Sequence, residues 1–321
     1  MNIRRRLYPL LAIAIVGIAI LVGCQKHQPK PTIAIMTYVS YPILDQSIHG
    51  IKESLRAHGY TTDTTQFYEV NANGQGDLVK TFATELLNKH PDVIIPVSTP
   101  VTEAVFHEAL PTQAIIFSTV TNPSDVGMDK SPPNMTGVSD VVNYEANLDL
   151  IRELFPTAKT IGIIYNPGER NSQYGVQKVK ELATQKGFQL LLVPVAQSSD
   201  ISDAARSILG KIDVFYVGSD NTVASGIETL VSIASERHKA VIASDAGSVA
   251  KGALAAVSVD YEELGHKVGD IVAQVLQQKQ QPGQIAAVRF VGNSLVLNTT
   301  AAEKLKMNFS ESLVKRATKV Y

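Results

Sequence analysis

The feature that most constrains this chain is a repeated change of hydrophobic period. From Thr32 onward, short continuous apolar runs alternate with segments in which apolar residues recur at helical spacing. A short unbroken apolar run reads as a strand buried on both faces, and apolar residues three and four apart read as one face of a helix. Chains that alternate in this way build parallel sheets with helices on both sides. In the first block, Thr32 to Tyr38 (TIAIMTY), Thr65 to Val70, Val93 to Val97 (VIIPV) and Ala114 to Ser118 are predicted strands. The helices between them carry Leu44, Ile48, Ile51 and Leu55, then Asp77 to Asn88, then Pro100 to about Leu110. Gly59 supplies a stop and Pro100 suits a first helical turn.

A second block repeats the pattern. Its predicted strands are Thr160 to Tyr165, Phe188 to Val193, Val214 to Val217, Ala240 to Ala243 and Ala253 to Val257. Its helices are Glu145 to Leu154, Gln173 to Lys186, Asp200 to Leu209, Thr222 to Arg237 and Tyr261 to Leu276. The expected fold is therefore α/β, with two doubly wound parallel-sheet lobes joined by a hinge. Residues 32–136 with about 261–283 are expected to form one lobe and residues 137–260 the other. The hinge is expected near Asn134 to Gly137 and near Ser258 to Asp260. Residues 284–321 form a closing segment with two short strands, which the pattern ties to neither lobe. A chain of 321 residues suits two domains of ordinary size.

The first 24 residues are of another kind. Arg4, Arg5 and Arg6 precede an apolar stretch from Leu10 to Val22, which ends at Gly23 and Cys24. That stretch is shorter than the roughly twenty residues of a spanning helix. It fits a secretory signal peptide over residues 1–24, and Leu21-Val22-Gly23-Cys24 resembles a bacterial lipobox. Cys24, the only cysteine, is then the expected lipidated residue, followed by a polar tether over residues 25–31. A lone cysteine excludes an internal disulfide and any CxxC motif. With 29 basic and 30 acidic residues there is no basic surplus, which argues against a nucleic-acid partner.

In doubly wound sheets, ligands bind beyond the carboxyl ends of the strands, beside helix N-termini. The residues there are polar in both blocks. The first block offers Ser40, Tyr41, Ser98, Thr99, Thr121 and Asn122, hydroxyls and donors suited to an anion such as a carboxylate. The second offers Asn166, Glu169, Asn171, Ser172, Asp220, Asn221 and Asp245, whose acids suit an ammonium. Donors on one wall and acids on the other match a zwitterion. Each of these residue types also caps helices, a purely structural use worth about 1 kcal/mol. Tyr38, Tyr41, Tyr165 and Tyr216 lie near the same strand ends, where rings suit packing on an aromatic side chain. No GxSxG, HExxH, Walker loop or metal-spaced histidine set occurs, and Gly74-Gln75-Gly76 lacks the third glycine of a dinucleotide loop. The chain is read as a binder and not an enzyme, with no catalytic residue, no metal and no cofactor.

Several stretches then resemble a known family. These are GVSD at Gly137 to Asp140, YNPGERNS at Tyr165 to Ser172, SDNTVAS at Ser219 to Ser225 and ASD at Ala243 to Asp245. GALAAVSVDYEELG at Gly252 to Gly265 and the closing AAEKLKMNFSESLVKRA complete the set. Together they resemble the ABC-transporter substrate-binding lipoproteins of the tryptophan/tyrosine-type group, which have the type I periplasmic-binding-protein fold. The resemblance implies a monomer anchored outside the cytoplasm, capturing a small ligand between its lobes. It implies delivery to a permease driven by an ATPase, and an amino acid, aromatic for choice, as the ligand. It adds Ser139, within GVSD, to the binding residues. The usual EHP, TDP and SDE of the family's loops read Ser40-Tyr41-Pro42, Thr121-Asn122-Pro123 and Ser244-Asp245-Ala246 here, which leaves the ligand open. A lipoprotein that senses its ligand for a membrane receptor, and a carrier of a non-amino-acid solute, are the alternatives.

Overall fold

The computed structural model describes residues 29–321. The expected signal peptide, the Cys24 anchor and most of the tether lie outside the described residues. The first block runs β1 (Thr32–Thr37), α1 (Pro42–Ala57), β2 (Gln66–Asn71), α2 (Gly76–Leu87), β3 (Val93–Val97), α3 (Thr99–Glu108), β4 (Ala114–Ser118) and β5 (Met135–Val141). The second runs α4 (Tyr144–Leu154), β6 (Thr160–Tyr165), α5 (Arg170–Gln185), β7 (Gln189–Pro194), α6 (Ile201–Ile208), β8 (Val214–Val217), α7 (Asn221–Ser225), α8 (Ile227–Ser235), β9 (Ala240–Ala243), α9 (Ala246–Ala250) and β10 (Ala255–Ser258). The chain closes with α10 (Tyr261–Gln278), β11 (Val288–Val291), β12 (Ser294–Leu297), α11 (Thr299–Lys304), α12 (Glu311–Arg316) and β13 (Lys319–Val320).

Two sheets result. The first has the order β11-β5-β4-β3-β1-β2 and all its pairings are parallel. The second has the order β13-β12-β10-β9-β8-β6-β7, with β12 antiparallel to β10. Central strands such as β3 and β8 are buried at every position, because helices cover both faces of each sheet. Strand order reverses between β1 and β3 in the first sheet, and between β6 and β8 in the second. Those are the switch points at which loop ends diverge and leave a crevice for a ligand.

Four sequence expectations need correction. Residues 135–141, expected to be lobe boundary and hinge, form β5, a buried strand of the first sheet. Its Gly, Ser and Asp hide the apolar signal, and Gly137 is needed because a Cβ there would collide with the Phe117 carbonyl. The chain therefore first crosses between lobes at residues 142–143. The closing segment is divided: β11 pairs with β5 in the first sheet, whereas β12 and β13 belong to the second. That makes a third crossing at residues 292–293. The single helix expected over Thr222 to Arg237 is split at Gly226, where a Cβ would strike the Ile201 side chain. The short helix α9 was not expected at all; Asp245 starts it by accepting from Ser248 N at 2.7 Å.

Candidate functional site

In the second lobe, the ends of β6, β8 and β9 are organised by acids. Asp220 closes the switch point, accepting from Asn166 N at 2.6 Å, Ser172 Oγ at 2.6 Å and Val223 N at 2.8 Å. Glu169 reaches across to the same helix start. It accepts from Asn221 N at 3.0 Å and Nδ2 at 2.6 Å, and from Thr222 N at 2.9 Å and Oγ1 at 2.7 Å. Asn171 adds a donor to Glu169 at 3.1 Å. The first N–H groups of α7 are thus satisfied by two carboxylates. Asp245 serves α9 likewise, taking Ser248 N and Ser248 Oγ, each at 2.7 Å.

The first lobe is built the other way. Neither α1 nor α3 has a side-chain cap; α1 carries Asp45 in its first turn, whereas the leading N–H groups of α3 present the positive end of the helix dipole with no acid in the first turn. Ser98, at the start of α3, has φ 93° and ψ 157°, a backbone state that costs a non-glycine residue about 1–3 kcal/mol. Its Oγ is buried without a hydrogen-bond partner, as is that of Ser139 on β5. Thr99 Oγ1 accepts from Thr121 N at 3.4 Å.

The two walls meet. Thr121 Oγ1 lies 2.7 Å from Ser219 Oγ of the second lobe and 3.3 Å from Asp140 Oδ1. Tyr41 OH points at Asn221 Oδ1 at 3.5 Å, and Tyr261 OH donates to Asp140 Oδ2 at 3.1 Å. Arg170 Nε donates to Glu103 Oε1 at 2.8 Å on the exposed rim. Beside this seam opens a cleft of about 770 Å³, walled by Tyr38, Val79 and Ala104 of the first lobe and by Asn166, Glu169 and Val195 of the second. Of the buried acids only Glu169 lines this cleft; Asp140, Asp220 and Asp245 do not.

Asp140, Glu169, Asp220 and Asp245 are the four buried carboxylates among the described residues, and no Lys, Arg or His is buried with them. Burial pushes Asp140 up to about 7, against the pull of its bond from Tyr261. Burial and the neighbouring Glu169 charge push Asp220 up to about 7. Burial also raises Asp245. A carboxylate far from water and from any cation favours its neutral form, and a nearby cation would return it to the charged one.

Of the residues singled out from sequence, Tyr41, Ser98, Thr99, Thr121, Ser139, Asn166, Glu169, Asn171, Ser172, Asp220, Asn221 and Asp245 are buried at strand ends in the lobe interior or seam. Ser40 is not brought in: it is exposed and its hydroxyl turns to Asp45, at 2.9 Å. Asn122 is half-buried and its amide is held by Asp125 at 3.0 Å. Glu169, expected to face an ammonium, has its carboxylate taken up by α7. Sequence reasoning missed Asp140, Tyr144 and Tyr261. Asp140 stood in GVSD in plain sight, but only pairing of β5 beside β4 places it against Thr121.

Two doubly wound lobes, three crossings and polar strand ends facing one seam define a solute-binding protein of the type I periplasmic-binding-protein fold. The chain belongs to the family of ABC transporter substrate binding proteins, whose model matches residues 32–321. It is 30% identical over 322 aligned residues to a tyrosine-binding protein of Clostridioides difficile strain R20291, covering 94% of this chain and 93% of that one. It is 29% identical to an ABC domain from Streptococcus pneumoniae crystallised with L-Trp, with TM-score 0.87 over 91% of this chain and 100% of that one. A ligand-free, open substrate-binding protein with adhesive properties from Clostridium difficile is also 29% identical, over 90% of this chain and 99% of that one, yet its TM-score is 0.66.

Proposed function

We propose that this chain captures an amino acid with an aromatic side chain between its lobes and hands it, chemically unchanged, to an ABC permease driven by an ATPase. In this reading the chain works outside the cytoplasm as a monomer, held to a membrane through a lipidated Cys24. The observation that carries the ligand class is the contrast between the uncapped start of α3 in the first lobe and the acid-capped starts of α7 and α9 in the second. In the first lobe, α3 presents an N-terminus with no side-chain cap and no acid in its first turn, beside the unpartnered Ser98 hydroxyl, suited to a carboxylate. In the second lobe the starts of α7 and α9 are already occupied by acids, so that wall repels a carboxylate and favours a cation. An α-amino acid has both groups one carbon apart. The relatives named for tyrosine and crystallised with L-Trp support the aromatic choice.

Among the acids, Asp245 is the proposed ammonium partner. Asp220 already accepts three protein donors, while both hydrogen-bonding side-chain contacts of Asp245 come from one residue, Ser248. The test is calorimetry with a panel of amino acids and sugars on purified protein freed of carried ligand. Aromatic amino acids are expected to bind, and Asp245→Ala to weaken that binding at least tenfold, about 1.4 kcal/mol. Binding unchanged by the substitution would remove Asp245 from the site, and a panel in which only sugars bind would overturn the amino-acid reading.

A further inference from the structure

We propose that the cleft is the compartment for the ligand's side chain and is built for one longer than a phenol: an aromatic amino acid that carries a further apolar group at the far end of its ring. The inference rests on the amino-acid reading above and extends it from the charged end of the ligand to the other. Pro100, Glu103, Ala104 and His107 of α3 all line the cleft. Counted from Pro100, spacings of three, four and seven put them on one face of the helix. At a rise of about 1.5 Å per residue that face runs for roughly 10 Å. Pro100 lies two residues after Ser98, whose buried hydroxyl has no partner at the uncapped start of the same helix. A carboxylate held at that start sets the rest of the ligand along the α3 face.

The middle of the cleft offers surface rather than hydrogen bonds. Glu169 is taken up by the start of α7. Asn166 accepts from Gly168 N at 2.8 Å through Oδ1 and donates its amide to Thr222 Oγ1 at 2.9 Å. Tyr38 OH donates to the Gly74 carbonyl at 3.2 Å. The charged lining is partnered too: Lys80 with Glu108 at 3.1 Å, Glu103 with Arg170 at 2.8 Å, and Asp200 with Ala196 N at 3.3 Å. Only His107 stands apart from these pairs, exposed at the far end of the α3 face. What a ligand meets between the two ends is apolar, with Val79 and Ala104 on the first lobe and Pro194 and Val195 on the second. At about 770 Å³ the cleft lies well inside the range of about 300–1,000 Å³ that takes drug-sized ligands, and a free amino acid leaves much of it to water. A group that extends the ring along these walls gains affinity in proportion to the apolar area it buries.

The experiment compares L-tyrosine with O-benzyl-L-tyrosine, which keeps the amine and the carboxylate and carries a benzyl group on the phenol oxygen. Affinity and heat-capacity change are measured by calorimetry on protein freed of carried ligand, for wild type and for Ala104→Trp, whose indole would fill the cleft partway along the α3 face. Wild type is expected to bind the ether at least as tightly as L-tyrosine, with a more negative heat-capacity change from the added apolar burial. In Ala104→Trp the ratio of the two affinities is expected to shift at least tenfold toward L-tyrosine. A wild-type protein that binds L-tyrosine but the ether more weakly would overturn the long compartment and leave the amino-acid reading intact. So would an unchanged ratio in Ala104→Trp, which would place the benzyl group outside the cleft. Should Ala104→Trp not fold, the wild-type affinities and heat-capacity changes decide alone. A wild-type protein that binds neither probe would overturn the amino-acid reading, and this inference with it.

Discussion

Ser98 shows how a single residue can be costly to the fold and useful to the site. Its φ of 93° belongs to a region that favours glycine, yet the chain places serine there, at the β3 switch point, with a buried hydroxyl and no protein partner. Thr119, at the end of neighbouring β4, also has positive φ, at 54°. Strain of this kind, about 1–3 kcal/mol per residue, persists where the surroundings demand it. Ser98→Gly is expected to relieve the strain, less the extra freedom glycine has in the unfolded chain. The net gain should be on the order of 1 kcal/mol, visible as a melting temperature raised by about 2–4 °C. The same change removes the hydroxyl and should weaken ligand binding about fivefold or more, roughly 1 kcal/mol for one hydrogen bond. A variant both more stable and equally tight would show that the serine is not a ligand contact. The strand-end serines, threonines and acids were readable in the sequence because turn chemistry concentrates them there. Their division of labour was not, since Glu169 and Asp245 look alike until one sees which N–H groups each accepts from.

At the scale of elements, α10 is fixed to α1 by direct backbone contact. A Cβ at Gly265 would collide with the Ser47 carbonyl, one at Gly50 with the Glu262 carbonyl, and one at Gly269 would come within 2.6 Å of Ser54 Cβ. Ser47 Oγ meets Ser118 Oγ at 2.8 Å, and Ser54 Oγ donates to Asp270 at 2.8 Å. Gly265→Ala must push the helices apart, and overpacking a close interface costs about 1–3 kcal/mol. A fall in denaturant midpoint of that size is expected, whereas Gly210→Ala, with nothing within 4 Å of its new Cβ, should be neutral or slightly stabilising. Equal effects of the two substitutions would mean that the α1–α10 contact yields readily. Long periodic helices and apolar strands were legible from spacing alone: α1, α10, β3 and β6 fall where the sequence puts them. β5 was not, because its burial comes from pairing with β4 and β11, distant in sequence, and its own residues are Gly, Ser and Asp. The break at Gly226 was also hidden: the close approach of Ile201, from another helix distant in sequence, leaves no room for a side chain there.

At the scale of the whole molecule, three crossings tie the lobes at one edge of the seam, and few contacts hold the seam shut. The Arg170–Glu103 pair is half-exposed, and such pairs contribute about 0–1 kcal/mol in water. Thr121–Ser219 and Tyr41–Asn221 are single neutral bonds, each worth about 1 kcal/mol net. Against them stands the burial of four carboxylates with no protein cation, which opposes closure whenever they are charged. The closed state is thus weakly held by the protein alone, and a ligand that bridges both lobes and brings an ammonium supplies the missing term. A ligand shifts such an equilibrium only by its differential affinity for the two states. Solution scattering should therefore show a smaller radius of gyration with saturating L-tyrosine than without it. Glu103→Gln, which removes only the rim pair, should leave that contraction in place and change affinity by less than about fivefold. Superimposable profiles with and without L-tyrosine would mean that closure does not depend on the ligand. Asp140 and Asp220 would then have to be neutralised by protons, and binding would lose affinity for an ammonium as pH falls through about 7, where both take up theirs.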